Sequence, residues 1–99
     1  ADTTREQMLA LVDVRQTLRD RVRGSSLRSA LPLSVVDLAV AQPSFTVRTV
    51  ARETDVTYGR ANTVVGQLVD LGILEEVGRA SGTRRFAAPE VLRVLLSGA

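Results

Sequence analysis

Residues 46–74, TVRTVARETDVTYGRANTVVGQLVDLGIL, are the stretch whose reading decides the fold. Val47, Val50 and Ala51 recur at i, i+3 and i+4, which gives a helix of about two turns one apolar face. Thr46 stands where a hydroxyl can cap it. Ala61, Val64, Val65, Leu68 and Leu71 carry the same period over about four turns, with Thr57 placed to cap this second helix and Gly72 to stop it. Thr54, Asp55 and Val56 leave room for only a three-residue turn, with Val56 as an apolar plug. Two helices joined so tightly must cross steeply, which is the helix-turn-helix arrangement.

The polar side of the second helix carries Tyr58, Arg60, Asn62, Thr63, Gln67 and Asp70. These are mostly short hydrogen-bonding groups with one guanidinium, types that suit base edges and phosphates. They suit a solvent-facing helix of mixed polarity equally well. Gly59 and Gly66 each cost roughly 1 kcal/mol relative to Ala in a helix interior. Gly66 either marks a close approach to something or is simply tolerated.

Downstream, residues 73–77 alternate weakly and predict a short strand, 78–83 (GRASGT) form a turn, and 84–88 return antiparallel with Phe86 inward and Arg85 outward. A two-stranded hairpin after a helix-turn-helix is a winged helix. Arg79, Arg84 and Arg85 fall at or beside the hairpin tip, where they can straddle phosphates. Arginine there also keeps an exposed strand edge soluble. Pro89, with Glu90 favourable at the N-terminal dipole, opens a last short helix. In it Val91, Leu92 and Leu95 close the core and Leu96 is available to a partner.

Upstream, residues 27–42 predict the first helix of the compact domain, with Leu31, Val35 and Leu38 on its face. Pro32 is acceptable only in its opening turn, and Pro43 sets its limit. Ser29 and Ser34 could each cap it, and Phe45 follows in an extended link that covers the end of the bundle. Residues 3–23 predict a long helix, opened by capping-box pairs Thr3 with Glu6 and Thr4 with Gln7. Met8, Leu11, Val14 (or Val12), Leu18 and Val22 line one face, and Gly24 to Ser26 break it. About 20 helical residues span ~30 Å, more than a small domain needs. Its stripe therefore meets either a helix of another copy or domain, or this domain itself.

Composition bounds the rest. Ninety-nine residues make one modest core, built from aliphatic side chains because Phe45, Phe86 and Tyr58 are the only aromatics. No apolar run approaches the ~20 residues of a membrane span, and no signal-peptide pattern opens the chain, so a cytoplasmic location is expected. Thirteen arginines against eleven acids give net +2, whereas the sequence pI is about 10.4. With no His, Lys or Cys and one Tyr, little titrates between the carboxylates and pH 10, so the pI overstates the positive field. The absence of Lys also weakens any argument from Arg as such.

Without His or Cys, the commonest general base and the thiolate nucleophile are missing. Glu75 and Glu76 are adjacent on a strand and face opposite ways. GRASGT lacks the Lys of a phosphate loop, and no cluster of carboxylates suggests a metal. The chain is expected not to be an enzyme and to need no cofactor.

The run VRTVARETDVTYGRANTVVGQLVDLGILEEV at 47–77, the hairpin residues Gly82, Arg84, Arg85 and Phe86, and APEVLRVL at 88–95 resemble the C-terminal winged-helix domain of many Fic-family proteins. The first helix, with its arginines, resembles the helix that links the Fic catalytic domain to that module. The helix-turn-helix part is common to many regulators; its combination with the Arg-x-Phe strand and the Pro-Glu helix is more specific. The resemblance implies a parent enzyme that transfers AMP from ATP to a protein hydroxyl, using a His-Pro-Phe loop ending in Gly-Asn-Gly and bound magnesium. None of that loop is in these residues, so the module is carried over and the catalysis is not. A chain opening on Ala1 agrees with a piece excised from a longer protein.

The expected fold is thus mainly α: a winged helix-turn-helix at 27–99, with a three-helix core and a two-stranded wing, after an N-terminal linker or dimerisation helix at 1–26. The expected function is binding of double-stranded DNA. Thr57, Tyr58, Arg60, Asn62, Thr63 and Gln67 would enter the major groove, and Arg48, Arg79, Arg84 and Arg85 would contact phosphates. Three to five such contacts give a log–log salt slope of about −3 to −4.5. The alternatives are a protein-interaction module docking on a Fic catalytic domain or a second copy, and a free-standing transcription regulator dimerised by its first helix. Five acids against six arginines leave residues 46–88 at only +1, which favours the protein partner. The DNA reading requires residues 58–67 to present an open, electropositive ridge.

Overall fold

Capping chemistry sets the helix ends in the stretch that decides the fold. Residues 47–54 form one helix, whose first turn is closed by Thr49 N–H donating to Thr46 Oγ1 at 3.2 Å. Residues 58–70 form the next, opened in the same way by Arg60 N–H on Thr57 Oγ1 at 3.2 Å. Between them Asp55 adopts the left-handed region at φ 56°, and Val56 N–H returns to the Ala51 carbonyl at 3.0 Å. Val56 is half-buried against the core, as a plug between the helices should be.

The computed structural model describes residues 5–27, 29–80 and 82–97. Among these, five helices and a two-stranded antiparallel sheet follow in the order α1 (Arg5–Arg23), α2 (Leu31–Ala41), α3 (Val47–Thr54), α4 (Tyr58–Asp70), β1 (Glu75–Ala80), β2 (Thr83–Ala87) and α5 (Pro89–Ser97). The Thr3 and Thr4 capping partners and the last two residues lie outside the described residues. No described helix is long and apolar enough to cross a membrane.

Three elements differ in extent from their sequence expectation. α2 starts at Leu31 rather than Leu27, because Pro32 is tolerated only in the first turn. Neither Ser29 nor Ser34 caps it: the N-cap is Ala30, without a side-chain bond. Its buried face is Pro32, Val35, Val36 and Ala39, while Leu31 and Leu38 are half-buried. The first strand starts at Glu75, not Ile73, because the end of α4 claims the preceding backbone. Gly72, at φ 76°, donates to the Val69 carbonyl at 2.9 Å, and Ile73 donates to the Leu68 carbonyl at 3.0 Å. This is the Schellman closure, with Ile73 buried against Leu68. The hairpin correspondingly runs on to Ala80, so Gly78, Arg79 and Thr83 are strand residues rather than turn.

The core is aliphatic around two phenylalanines, and no polar or charged residue among those described is buried. Phe45 and Phe86 are 1% and 2% exposed and form a backbone bridge, with N···O distances of 3.0 and 2.7 Å in the two directions. That bridge ties β2 to the link just before α3, so the hairpin is held beside the N-terminal end of that helix.

α1 lies against α2 and α5. Leu18 and Val22 are fully buried in the common core, and Leu11 and Val14 pack partly against it. Met8, expected on the same face, is 59% exposed, and Leu9 and Val12 are exposed beside it. Folding back therefore describes the C-terminal half of the helix, and the N-terminal half keeps an open apolar surface. In α5 Val91 is buried and Leu95 packs on the core; Leu92 is half-buried outside the core cluster, and Leu96 is 78% exposed.

Candidate functional site

α4 buries Ala61, Val64, Val65 and Leu68, and this fixes what it shows to solvent. Gly59, Asn62, Thr63, Gly66 and Asp70 repeat at steps of three and four along the opposite side. Tyr58, Arg60 and Gln67 flank them, and all eight are exposed. α1 leaves this face open: it reaches α4 at the C-terminal end, where Arg21 Nη2 donates to the Leu71 carbonyl at 2.6 Å. A Cβ added at Gly59 or Gly66 would meet nothing within 4 Å. Neither glycine is there to admit another of the described residues.

The hydroxyls on this helix are partly committed. Thr57 Oγ1 accepts the capping N–H and keeps its proton to donate, whereas Thr63 Oγ1 donates to the Gly59 carbonyl at 3.0 Å and keeps its capacity to accept. The side chains of Tyr58, Arg60, Asn62 and Gln67 have no partner among the described residues.

Because the Phe45–Phe86 bridge holds the hairpin beside α3, three elements enclose a groove of 360 Å³. α3 contributes Arg48, α4 contributes Tyr58 and Asn62, and the hairpin contributes Arg79 and Arg84. Five of the ten residues singled out from the sequence thus share one concavity, with Thr46, Val47, Gly82 and Thr83 completing its lining. Arg48 is exposed and unpaired among the described residues. Arg84 lies over the Phe86 ring, 5.0 Å from its centroid, and its Nε donates to Glu76 Oε1 at 2.8 Å, which leaves its Nη groups for other partners.

Arg85 does not join them. Its Nε and Nη2 donate to Ser44 Oγ at 3.2 and 3.0 Å, and Nη2 also donates to the Ser44 carbonyl at 3.2 Å, on the side of the hairpin away from Arg84. Arg60, Thr63 and Gln67 lie along the open face of α4 rather than in the groove, and Thr57 caps it from below. Of the five acids in this half of the chain, Glu76 stands among the groove arginines. Glu53 lines a separate cleft with Asp37, and Glu75 lies beside Pro89 and Arg93.

Set against family models, curated proteins and solved structures, the chain matches none of them. The site is therefore read from its own chemistry. Thr46, Gly82 and Thr83 carried no signal as groove residues in the sequence, because their place depends on how the hairpin docks. Ser44 as the partner of Arg85 was hidden for the same reason, 41 residues away.

Proposed function

We propose that this chain is a winged helix-turn-helix module that binds double-stranded DNA, with α4 in the major groove and the β1–β2 hairpin as the wing against the flanking backbone. The observation that carries this reading is the groove in which Arg48, Arg79 and Arg84 converge beside the open polar face of α4. Guanidiniums at its walls suit phosphate oxygens, which fix register, while Asn62, Arg60 and Gln67 offer donors and acceptors to base edges. A 13-residue helix is about 20 Å long, and a major groove about 12 Å wide admits one. The resemblance to the Fic C-terminal module belongs to the same proposal, and the upstream coding sequence tests it by containing or lacking a Gly-Asn-Gly loop.

The test is binding of the purified chain to duplex DNA across a salt series. Three phosphate contacts, from Arg48, Arg79 and Arg84, give a log–log slope of about −2.7. A binding constant indifferent to salt removes the reading.

A second reading has its own observation. Met8, Leu9 and Val12 are each more than half exposed on one end of α1, a surface suited to a helix of a neighbouring domain or of a second copy. Size-exclusion chromatography with light scattering separates a monomer from a dimer made through it. The two readings use different faces and are compatible.

A further inference from the structure

Glu76 stands where a nucleic acid phosphate would have to arrive. Its Oε1 accepts from Arg84 Nε at 2.8 Å, and its Oε2 lies 3.5 Å from Arg79 Nε. Sequence spacing argues against the second contact, because strand residues three apart point to opposite faces. The hairpin register supplies the reason it exists. Glu76 pairs with Phe86 but Gly78 pairs with Arg85, so Val77 is an extra residue bulged out of the ladder. The bulge returns Arg79 to the face that already holds Glu76, Arg84 and Phe86.

We infer that Glu76 is an affinity-limiting residue of the groove, a built-in competitor for the arginines that would hold DNA phosphate. The inference rests on the DNA reading and says how that site is restrained. Two arginines and one carboxylate leave this face of the hairpin at +1 where the arginines alone would give +2. The Arg79 and Arg84 side chains are 61% and 50% exposed and that of Glu76 is 34% exposed. Such pairs are weak and exchangeable, so a phosphate can take the arginines over. The carboxylate stays beside it, well inside the screening length of about 8–10 Å at ordinary salt. Every duplex meets this repulsion whatever its sequence.

Glu76→Gln tests this on a fluorescent mixed-sequence duplex by anisotropy across a salt series, with Glu75→Gln as the control on the other side of the strand. Removing the competitor should steepen the slope by about 0.9, which is roughly an eightfold gain in affinity at about 0.1 M salt if the curves converge near 1 M. Glu75→Gln should move it less. If the unaltered chain binds and Glu76→Gln binds equally or more weakly, Glu76 positions Arg84 instead and the inference fails while the DNA reading stands. If neither protein binds even at low salt, while thermal melting shows both folded, the DNA reading fails and this inference with it.

Discussion

On α1, Arg15 and Arg19 converge on Asp37 at 3.0 and 2.8 Å and Arg21 closes the end of α4, whereas around the groove Arg48 and Arg60 have no side-chain partner among the described residues. Arg79 and Arg84 fall between, sharing one carboxylate. The residue type is the same in both regions, so what differs is the geometry that surrounds it. Arg15, Arg19 and Arg21 fasten the helix to its domain: they sit over two turns whose Leu18 and Val22 are in the core. Arg48 and Arg60 fasten nothing among the described residues. A count of basic residues thus says little about binding until each guanidinium has been followed to its partner.

The largest effect tests whether α1 is part of the domain. Leu18→Ala removes a fully buried side chain and should cost about 2–5 kcal/mol of unfolding free energy in a denaturant titration. A loss near zero would make α1 an appendage and dissolve the contrast. A smaller effect separates the two sets of arginines directly. Arg48→Ala should reduce the salt slope of duplex binding by about 0.9, while Arg15→Ala leaves slope and affinity unchanged. Equal effects from the two would mean that general charge, and not the groove, attracts DNA.

The smallest effect sharpens the picture of the α4 face. Gly66→Ala has room for its Cβ and should stabilise the free chain by up to about 1 kcal/mol. It should nevertheless weaken duplex binding, because a glycine in the middle of the outward stripe lets the helix backbone approach the bases. More stability with unchanged binding would show that the duplex does not lie against this stripe.

Much of the helical skeleton was legible because it rests on short-range physics. The i, i+3, i+4 pattern of α3 and α4, the caps at Thr46 and Thr57, the stop at Gly72 and the start at Pro89 each depend on residues within a turn or two. Errors arose where two local preferences overlapped. Ile73 and Leu74 have the apolar character of a strand, but the closing turn of α4 uses their N–H groups first. The apolar stripe of α1 reads as one face in the sequence, yet Met8 is exposed and Leu18 is not, since the body of the domain ends before the helix does.

Of the candidate site, the polar face of α4 follows from its buried face alone. The groove depends on how the hairpin docks beside α3. Arg84 and Arg85 are neighbours of one chemical type, yet one faces Phe86 and Glu76 and the other Ser44.

Periodicity, capping hydroxyls, glycine and proline were enough to determine where most helices lie and which side of each is apolar, because backbone hydrogen bonds and helical period act between near neighbours. Which arginines are free was decided only by the folded chain. The partners of Arg15, Arg19 and Arg21 lie 18 to 50 residues away, and that of Arg85 lies 41 residues away. The bulge at Val77 then sets which hairpin side chains share a face with Glu76. An ion pair between residues far apart in sequence depends on distance through space, and no pattern along the chain encodes that distance until the core has closed.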